Sequence, residues 1–444
     1  MVETNKATLF KFRENLEMSS ILHYIWSKGA LPESGLKTTA GKELYIRVPG
    51  NCSTCEPNIF KEAVIEIDGV LFGGSVILLD ETDMQGSLPT SDTEDTAILL
   101  VSLNCNNNAA EYSNKEIEQL HITCSQEFIQ EVHAAQTEEE RLPCSSIMAE
   151  IPGMQLDSIL SSLLIERLED KKKILERIFQ QCDQRWDDTL LKIAIRSFGF
   201  GIQSDIFEAW ANLLNTQALG KHSDNPVQVE AIFFGQAGLL DDESIPYYYR
   251  SDAIKNVYYN ELKREFHFLQ NKFNLKSLDY RTWGNSTPHL RIARLATLYL
   301  LKRFTVSGIT TANTLTDLYK LLNHSLSGYW QNHTCFGGTE TCGNGYMRQK
   351  QVDIIIINSI VPLLYVYGKH RRDEKLCEKA IELLRHIDCE ENSIIKRLKE
   401  QGAQPKCAAD SQALLQLHRS YCRRNNCMNC RFALHYIKSK LTIK

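Results

Sequence analysis

The chain has little that would mark it for export or for a membrane. Its first twenty residues, MVETNKATLFKFRENLEMSS, hold no apolar core and no small-residue cleavage site, so no secretory leader is expected. The longest apolar stretch, Ile354 to Tyr367, is interrupted by Asn358, Ser359 and Pro362. It falls short of the roughly 20 residues a bilayer requires and predicts a buried helix, with no membrane partner. Cysteine is too dilute, at 14 in 444 residues, for a disulfide framework. Reduced thiols and a cytoplasmic location follow as expectations, and the Asn-x-Ser/Thr triplets at Asn51, Asn285, Asn323 and Asn332 then carry no sugar. Familiar catalytic signatures are missing too. Phe198-Gly-Phe-Gly201 does not extend to a Gly-x-Gly-x-x-Gly phosphate loop. No serine elbow, kinase set or zincin motif is present, and the histidines are scattered, so no catalytic residue is expected. There is no internal repeat and no low-complexity tract.

What is present is an ordinary globular composition, 43% hydrophobic and 24% charged, in a length that suits two or three domains. The net charge of -5 hides an asymmetry. Residues 1–150 hold 10 Lys and Arg against 24 Asp and Glu, a net of -14; the remainder holds 40 against 31, a net of +9. Either the two parts attract each other, or a polyanion meets the C-terminal part.

Residues 1–145 read as an acidic α/β domain. A helix is expected over Met18 to Ser27 and strands over Glu43 to Val48, Ala63 to Ile67, Val70 to Leu79 and Thr96 to Leu103. Asp68-Gly69 is a hairpin turn, because glycine tolerates positive φ. Gly73 and Gly74 mark a bulge or a close approach. A loop over Asp80 to Asp95 and a helix over Phe128 to Ala135 complete the domain. Glu138-Glu139-Glu140, Pro143, Pro152 and Gly153 mark a boundary. From Leu156 the apolar residues recur at helical spacing, so residues 146–406 read as a helical domain. Helices are expected over Asp188–Ser197, Asp205–Thr216, Gln228–Ala237, Ala253–Phe273, Leu290–Lys302, Thr314–Leu326, Gln351–Tyr367, Glu374–Leu384, Ser393–Glu400 and Ser411–Arg419. Residues 407–444 read as a basic, cysteine-rich module packed on the helical domain.

That module holds the strongest chemical motif, Cys422-Arg-Arg-Asn-Asn-Cys427-Met-Asn-Cys430. Thiolates are the ligands that zinc and iron–sulfur clusters prefer, and a two-residue spacer lets two sulfurs turn back onto one centre. Arg423, Arg424 and Arg431 would help to offset thiolate charge. Cys407 is the expected fourth ligand, with His418 and His435 as other candidates; the choice between zinc and an iron–sulfur cluster stays open. From Gln416 to Lys444 there are seven Lys and Arg and no acid. Arg419, Arg423, Arg424, Arg431 and Lys438 are the expected polyanion contacts, with Tyr421, Phe432 and Tyr436 interleaved for stacking. A helix docked on the acidic N-terminal part fits the same composition. Cys52-x-x-Cys55 and the pair Cys335 and Cys342 are weaker signals, each read as chance.

Several stretches together resemble one bacterial family known only as a conserved domain of unknown function. They are Leu22-His-Tyr-Ile-Trp26, Leu36-Lys-Thr-Thr39, Ile165-Glu-Arg-Leu-Glu-Asp-Lys171, Phe234-Gly-Gln-Ala-Gly238, Tyr329-Trp-Gln, Asn358 with Pro362-Leu-Leu364, Asp410-Ser-Gln-Ala-Leu414 and the terminal Tyr421-Cys422 array. The resemblance spans nearly the whole chain and brings no activity. The family's N-terminal part looks like a restriction-endonuclease-like core, in which paired carboxylates hold a divalent metal. Here that pattern is degenerate: Asn58 or Ile59 stands where the aspartate is expected, and Ile77 and Leu79 replace a glutamate and a histidine. Isoleucine cannot ligate a cation. The expectation is therefore a non-catalytic factor that binds nucleic acid or protein through a C-terminal metal site. Two alternatives are a nuclease using Glu56, Glu66 or Asp80, and a scaffold with a structural zinc.

Overall fold

The computed structural model describes residues 21–53, 56–79, 96–104, 117–136, 144, 148, 150–326, 328–339 and 345–443. It divides into two compact units. The first comprises residues 1–163, 391–404 and 413–444; the second comprises residues 164–390 and 405–412.

The first unit is built on a sheet. Its strands are β1 (Leu36–Lys37), β2 (Glu43–Val48), β3 (Asn51–Ser53), β4 (Glu56–Ile67), β5 (Val70–Leu79), β6 (Ala97–Leu103) and β7 (Glu118–Thr123). Strands β8 (His333–Cys335) and β9 (Gly338–Thr339) form a separate hairpin in the second unit, and β10 (Thr442–Ile443) returns to the first sheet. The sheet order is β1-β2-β4-β5-β6-β7-β10, with β3 on β4. The hairpin β4–β5 is antiparallel, and β5, β6 and β7 run parallel. Asp68 and Gly69 both have positive φ, as the expected tight turn requires. A side chain at Gly74 would meet the Thr96 carbonyl at 2.3 Å, so this glycine serves a close approach between strands. The burial pattern follows the pairing. Ala63, Ile65 and Ile67 alternate inward on β4, whereas Val76 to Leu79 are all buried on β5, as befits a strand covered on both faces. The sheet curls until its ends nearly meet: Thr39 N–H donates to the Gln119 carbonyl at 2.8 Å, and Lys42 pairs with Glu118. A helix over 21–27 buries Trp26, whose Nε1 donates to the Pro49 carbonyl at 2.9 Å.

The units divide the chain differently from the expected breaks at 145/146 and 406/407. The terminal segment belongs with the sheet, not with the helical unit. The cause is visible at three contacts. Strand β10 pairs with β7, Tyr436 Oη donates to Glu131 at 2.6 Å, and the Tyr436 ring packs on Phe128. Phe432, Tyr436 and Ile437 are all buried by this docking, and each contributes about 1.5–3 kcal/mol. The loop expected over residues 80–95 lies outside the described residues from Asp80 to Asp95.

The second unit is helical, as the periodicity predicts. Helix Gly153–Gln181 enters it, and Leu168, Leu175, Ile178 and Phe179 face its core. Two expected helices are broken. The expected span Ala253–Phe273 splits into Tyr247–Lys255 and Val257–Phe273, because the Asn256 side chain accepts from the Tyr258 and Tyr259 N–H groups and caps a new start. The expected span Asp205–Thr216 ends at Leu213, and Asn215 caps a short helix, Thr216–Lys221.

The apolar stretch does form a buried helix, Gln349–Arg371, which is also long and apolar enough by composition to cross a membrane. Its middle turn, Ile356–Ile360, is a π-helix. In that register the Ile357 carbonyl would accept from residue 362, but Pro362 has no N–H. Lys171 fills the gap: its Nζ donates to the Ile357 carbonyl at 3.1 Å and to Asn358 Oδ1 at 3.2 Å. Burial, reinforced by Arg167, lowers the Lys171 pKa from 10.5 to about 7. Between these values the unfolded chain holds a proton that the folded protein has shed, so stability rises with pH by about 1.4 kcal/mol per unit. Lys171→Met removes that term. Urea unfolding at about pH 7 and about pH 9 is expected to show the wild type gaining roughly 2 kcal/mol more than the variant; parallel profiles would contradict the assignment.

Candidate metal centre and cationic lobe

In the first unit, a cavity of about 290 Å³ is lined by Cys144, Cys422, Cys427 and Cys430. Met148, Leu398, Leu417 and Phe432 supply apolar walls, and Arg397, His418 and Tyr421 supply polar ones. The local backbone explains why three thiols converge. After helix Ala408–Ser420 the chain makes a 3-10 turn over Cys422–Arg424. It reverses at Asn425, which adopts φ 51, a left-handed conformation that asparagine tolerates. A second 3-10 turn follows over Cys427–Asn429, and Cys430 N–H donates to the Cys427 carbonyl at 2.9 Å. Cys430 then stands at the N-terminal end of helix Arg431–Lys440.

The thiols sense burial and one another. Burial pushes the Cys144 thiol up, and the neighbouring Cys430, Cys427 and Cys422 push it further. Burial raises Cys430 to about 12, against the backbone N–H groups of Ala433 and Phe432, which donate to it. Tyr24 is raised to about 12 by burial and by Cys430, Cys144 and Cys427. Arg397 Nη2 lies 3.1 Å from His418 Nε2 at the cavity wall. No disulfide joins any two described cysteines. Among the described residues, no three His, Cys, Asp or Glu side chains are grouped closely enough to hold a single metal ion.

The fourth cysteine at this cavity is Cys144, and Cys407, the expected one, lies in the other unit. Helix Ala408–Ser420 accounts for the difference, since its 13 residues carry Cys407 about 20 Å along the axis from Cys422. Cys407 instead offers its carbonyl to Cys389 Sγ at 3.4 Å. His418 reaches the cavity, whereas His435 is not among its lining residues. Nothing local to Cys144 in the sequence signals this role, because its partners come from the far end of the chain.

Arg419, Arg423, Arg424, Arg431 and Lys438 are all exposed around this lobe. Helix Ser393–Glu400 adds exposed Lys396, Arg397 and Lys399. Arg431 Nη1 donates to Ser162 Oγ at 2.9 Å. Arg419, Arg423, Arg424 and Lys438 form no ion pair among the described residues. The interleaved aromatics do not form a stacking platform. Phe432 and Tyr436 are 1% and 2% exposed, anchors in the core, and Tyr421 lines the cavity.

The positions of the degenerate nuclease pattern are apolar in space as well as in sequence. Ile59 and Ile77 face each other across β4 and β5 and are both buried. Ile77 and Leu79 pack with Leu100 in one apolar cluster. Of the substitute carboxylates, Glu66 is held by Arg47 at 2.6 Å. The Glu56 side chain and Asp80 lie outside the described residues, as do Cys55 and Cys342.

A search of curated proteins finds no match, and neither does a search of solved structures. A family model described as a protein of unknown function, DUF2851, matches residues 19–393 and so stops short of the terminal cysteine array. With most of its length matched, the chain belongs to the DUF2851 family of proteins of unknown function.

Proposed function

We propose that this protein is a non-catalytic cytoplasmic factor that binds nucleic acid through its cationic C-terminal lobe, and that a metal centre at Cys144, Cys422, Cys427 and Cys430 orders the lobe. The observation that carries the reading is the coincidence of the two features. Four cysteines line one cavity, and the turns that bring three of them there, with the helices that flank those turns, also present Arg419, Arg423, Arg424 and Arg431 to solvent. Arg419, Arg423 and Arg424, exposed and without an ion pair among the described residues, suit phosphate groups, whose neutralisation releases counterions. The burial of Phe432 and Tyr436 favours backbone contact over base stacking. A hydrolytic role through substitute carboxylates has less support, since Glu66 is already engaged by Arg47.

The reading predicts a steep salt dependence. Filter binding of the full chain to duplex DNA and to RNA should give affinity that falls linearly on a double-logarithmic plot, with a slope of about -0.9 per phosphate contact on duplex DNA. No binding at low salt, or binding indifferent to salt, would overturn it.

A further inference from the structure

We infer that the centre at this cavity is a cubane [4Fe–4S] cluster, with Cys144 as the ligand that joins the terminal array to the N-terminal part of the chain. The inference rests on the metal reading above and narrows it to one cofactor.

The geometry of the void separates the two metals that all-cysteine sites favour. A tetrahedral zinc holds its thiolates at about 2.3 Å, which draws the four sulfurs to roughly 3.8 Å from one another and leaves no space between them. Here the four cysteines are among the residues that line a cavity of about 290 Å³. Among the described residues no three possible ligands are grouped as one ion requires. Four thiol-bearing residues lining one hollow suit a cofactor that has its own volume and presents one iron to each. A two-iron cluster takes four thiolates too, but in pairs at two irons.

The surroundings suit the charge of such a cluster. Four thiols each lose a proton on ligation, so the site must stabilise four thiolates. The backbone N–H groups of Phe432 and Ala433, in the first turn of a ten-residue helix, already point at Cys430. Arg397 stands at the wall, and Arg423, Arg424 and Arg431 lie beside the ligating residues. Met148, Leu398, Leu417 and Phe432 add apolar surface to the wall, which would lower the polarity around the cluster.

The arrangement also gives the cofactor a mechanical role. Cys144 and the terminal array are separated by most of the chain, so one cluster would pin the end of the sheet domain to the cationic lobe.

The test is elemental. The full chain is purified without oxygen as wild type, Cys144→Ser and Cys407→Ser, and assayed for iron, acid-labile sulfide and zinc. Wild type and Cys407→Ser are expected to hold about four iron and four sulfide per chain, with a broad visible absorbance bleached by dithionite. Cys144→Ser is expected to lose most of both. If that variant does not fold, the wild-type stoichiometry and the Cys407→Ser result still decide. About one zinc per chain without sulfide, or about two iron with two sulfide, would overturn the cubane and leave a metal centre standing. No metal in the wild type would overturn both readings.

Discussion

Gly238→Ala is expected to lower the melting temperature by roughly 4–20 °C. Gly238 follows helix Pro226–Gln236, at φ +76, and an added Cβ would sit 2.1 Å from the Leu278 carbonyl oxygen. That oxygen cannot move aside. Leu278 N–H donates to the Gln236 carbonyl at 2.9 Å, and Gln236 Nε2 holds the carbonyls of Leu213 and Lys276. Trp283 Nε1 fixes the Ala237 carbonyl at 2.8 Å. The left-handed backbone costs about 1–2 kcal/mol and overpacking about 1–3 more, a large share of the roughly 5–15 kcal/mol that holds a folded protein together. Gly220→Ala is the control. Its Cβ meets nothing within 4 Å, and it lies inside helix Thr216–Lys221, so it should be neutral or mildly stabilising. Circular-dichroism melts decide, and a Gly238→Ala protein that melts with the wild type would refute the packing argument.

The second large effect is on binding. Replacing Arg419, Arg423 and Arg424 together by alanine removes three exposed cations without touching the core. If each contacts one phosphate, the salt slope on duplex DNA should become shallower by about 3. Between roughly 50 and 200 mM salt the variant should then lose about 40-fold less affinity than the wild type, while binding more weakly throughout at low salt. Lys28→Ala, Lys61→Ala and Lys173→Ala, combined as a control of equal charge change, should leave the slope near its wild-type value. Equal slopes for the arginine variant and the wild type would remove these residues from the interface.

Much of the architecture was legible from local rules. Strands β2 and β5 match their expected bounds, because strand-forming residues and the Asp68-Gly69 turn act over a few residues. Helix Ser393–Glu400 likewise matches, with Asn392 as its cap. The failures occur where a distant partner or one side chain decides. Strand β7 was not expected, since it is short and mixed in polarity, and helix Arg431–Lys440 corresponds to one of the two alternatives for the basic tail, a helix docked on the N-terminal part. Asn256 ended a helix by capping its successor, a competition that hydrophobic spacing does not register.

The candidate site divides in the same way. Cys422, Cys427 and Cys430 stood out by spacing and do line one cavity. The length of helix Ala408–Ser420 sets Cys407 apart from Cys422, which the shorter helix expected over Ser411–Arg419 did not reveal. Cys144 was not legible either, because only the folding of the sheet domain against the terminal segment brings it there. The aromatics misled for a related reason: Phe432 and Tyr436 repeat at helical spacing, and that spacing serves the buried face of their helix.

The account turns on one link, that the cysteine centre and nucleic-acid binding stand or fall together. The most direct measurement takes wild type and Cys427→Ser from parallel anaerobic preparations and determines metal content and DNA affinity across salt on the same samples. The account predicts that Cys427→Ser loses the metal and, with it, most of the salt-dependent affinity, because the lobe that carries Arg419, Arg423 and Arg424 is no longer held in place. A metal-free variant that binds as tightly as the wild type, with the same salt slope, would contradict it.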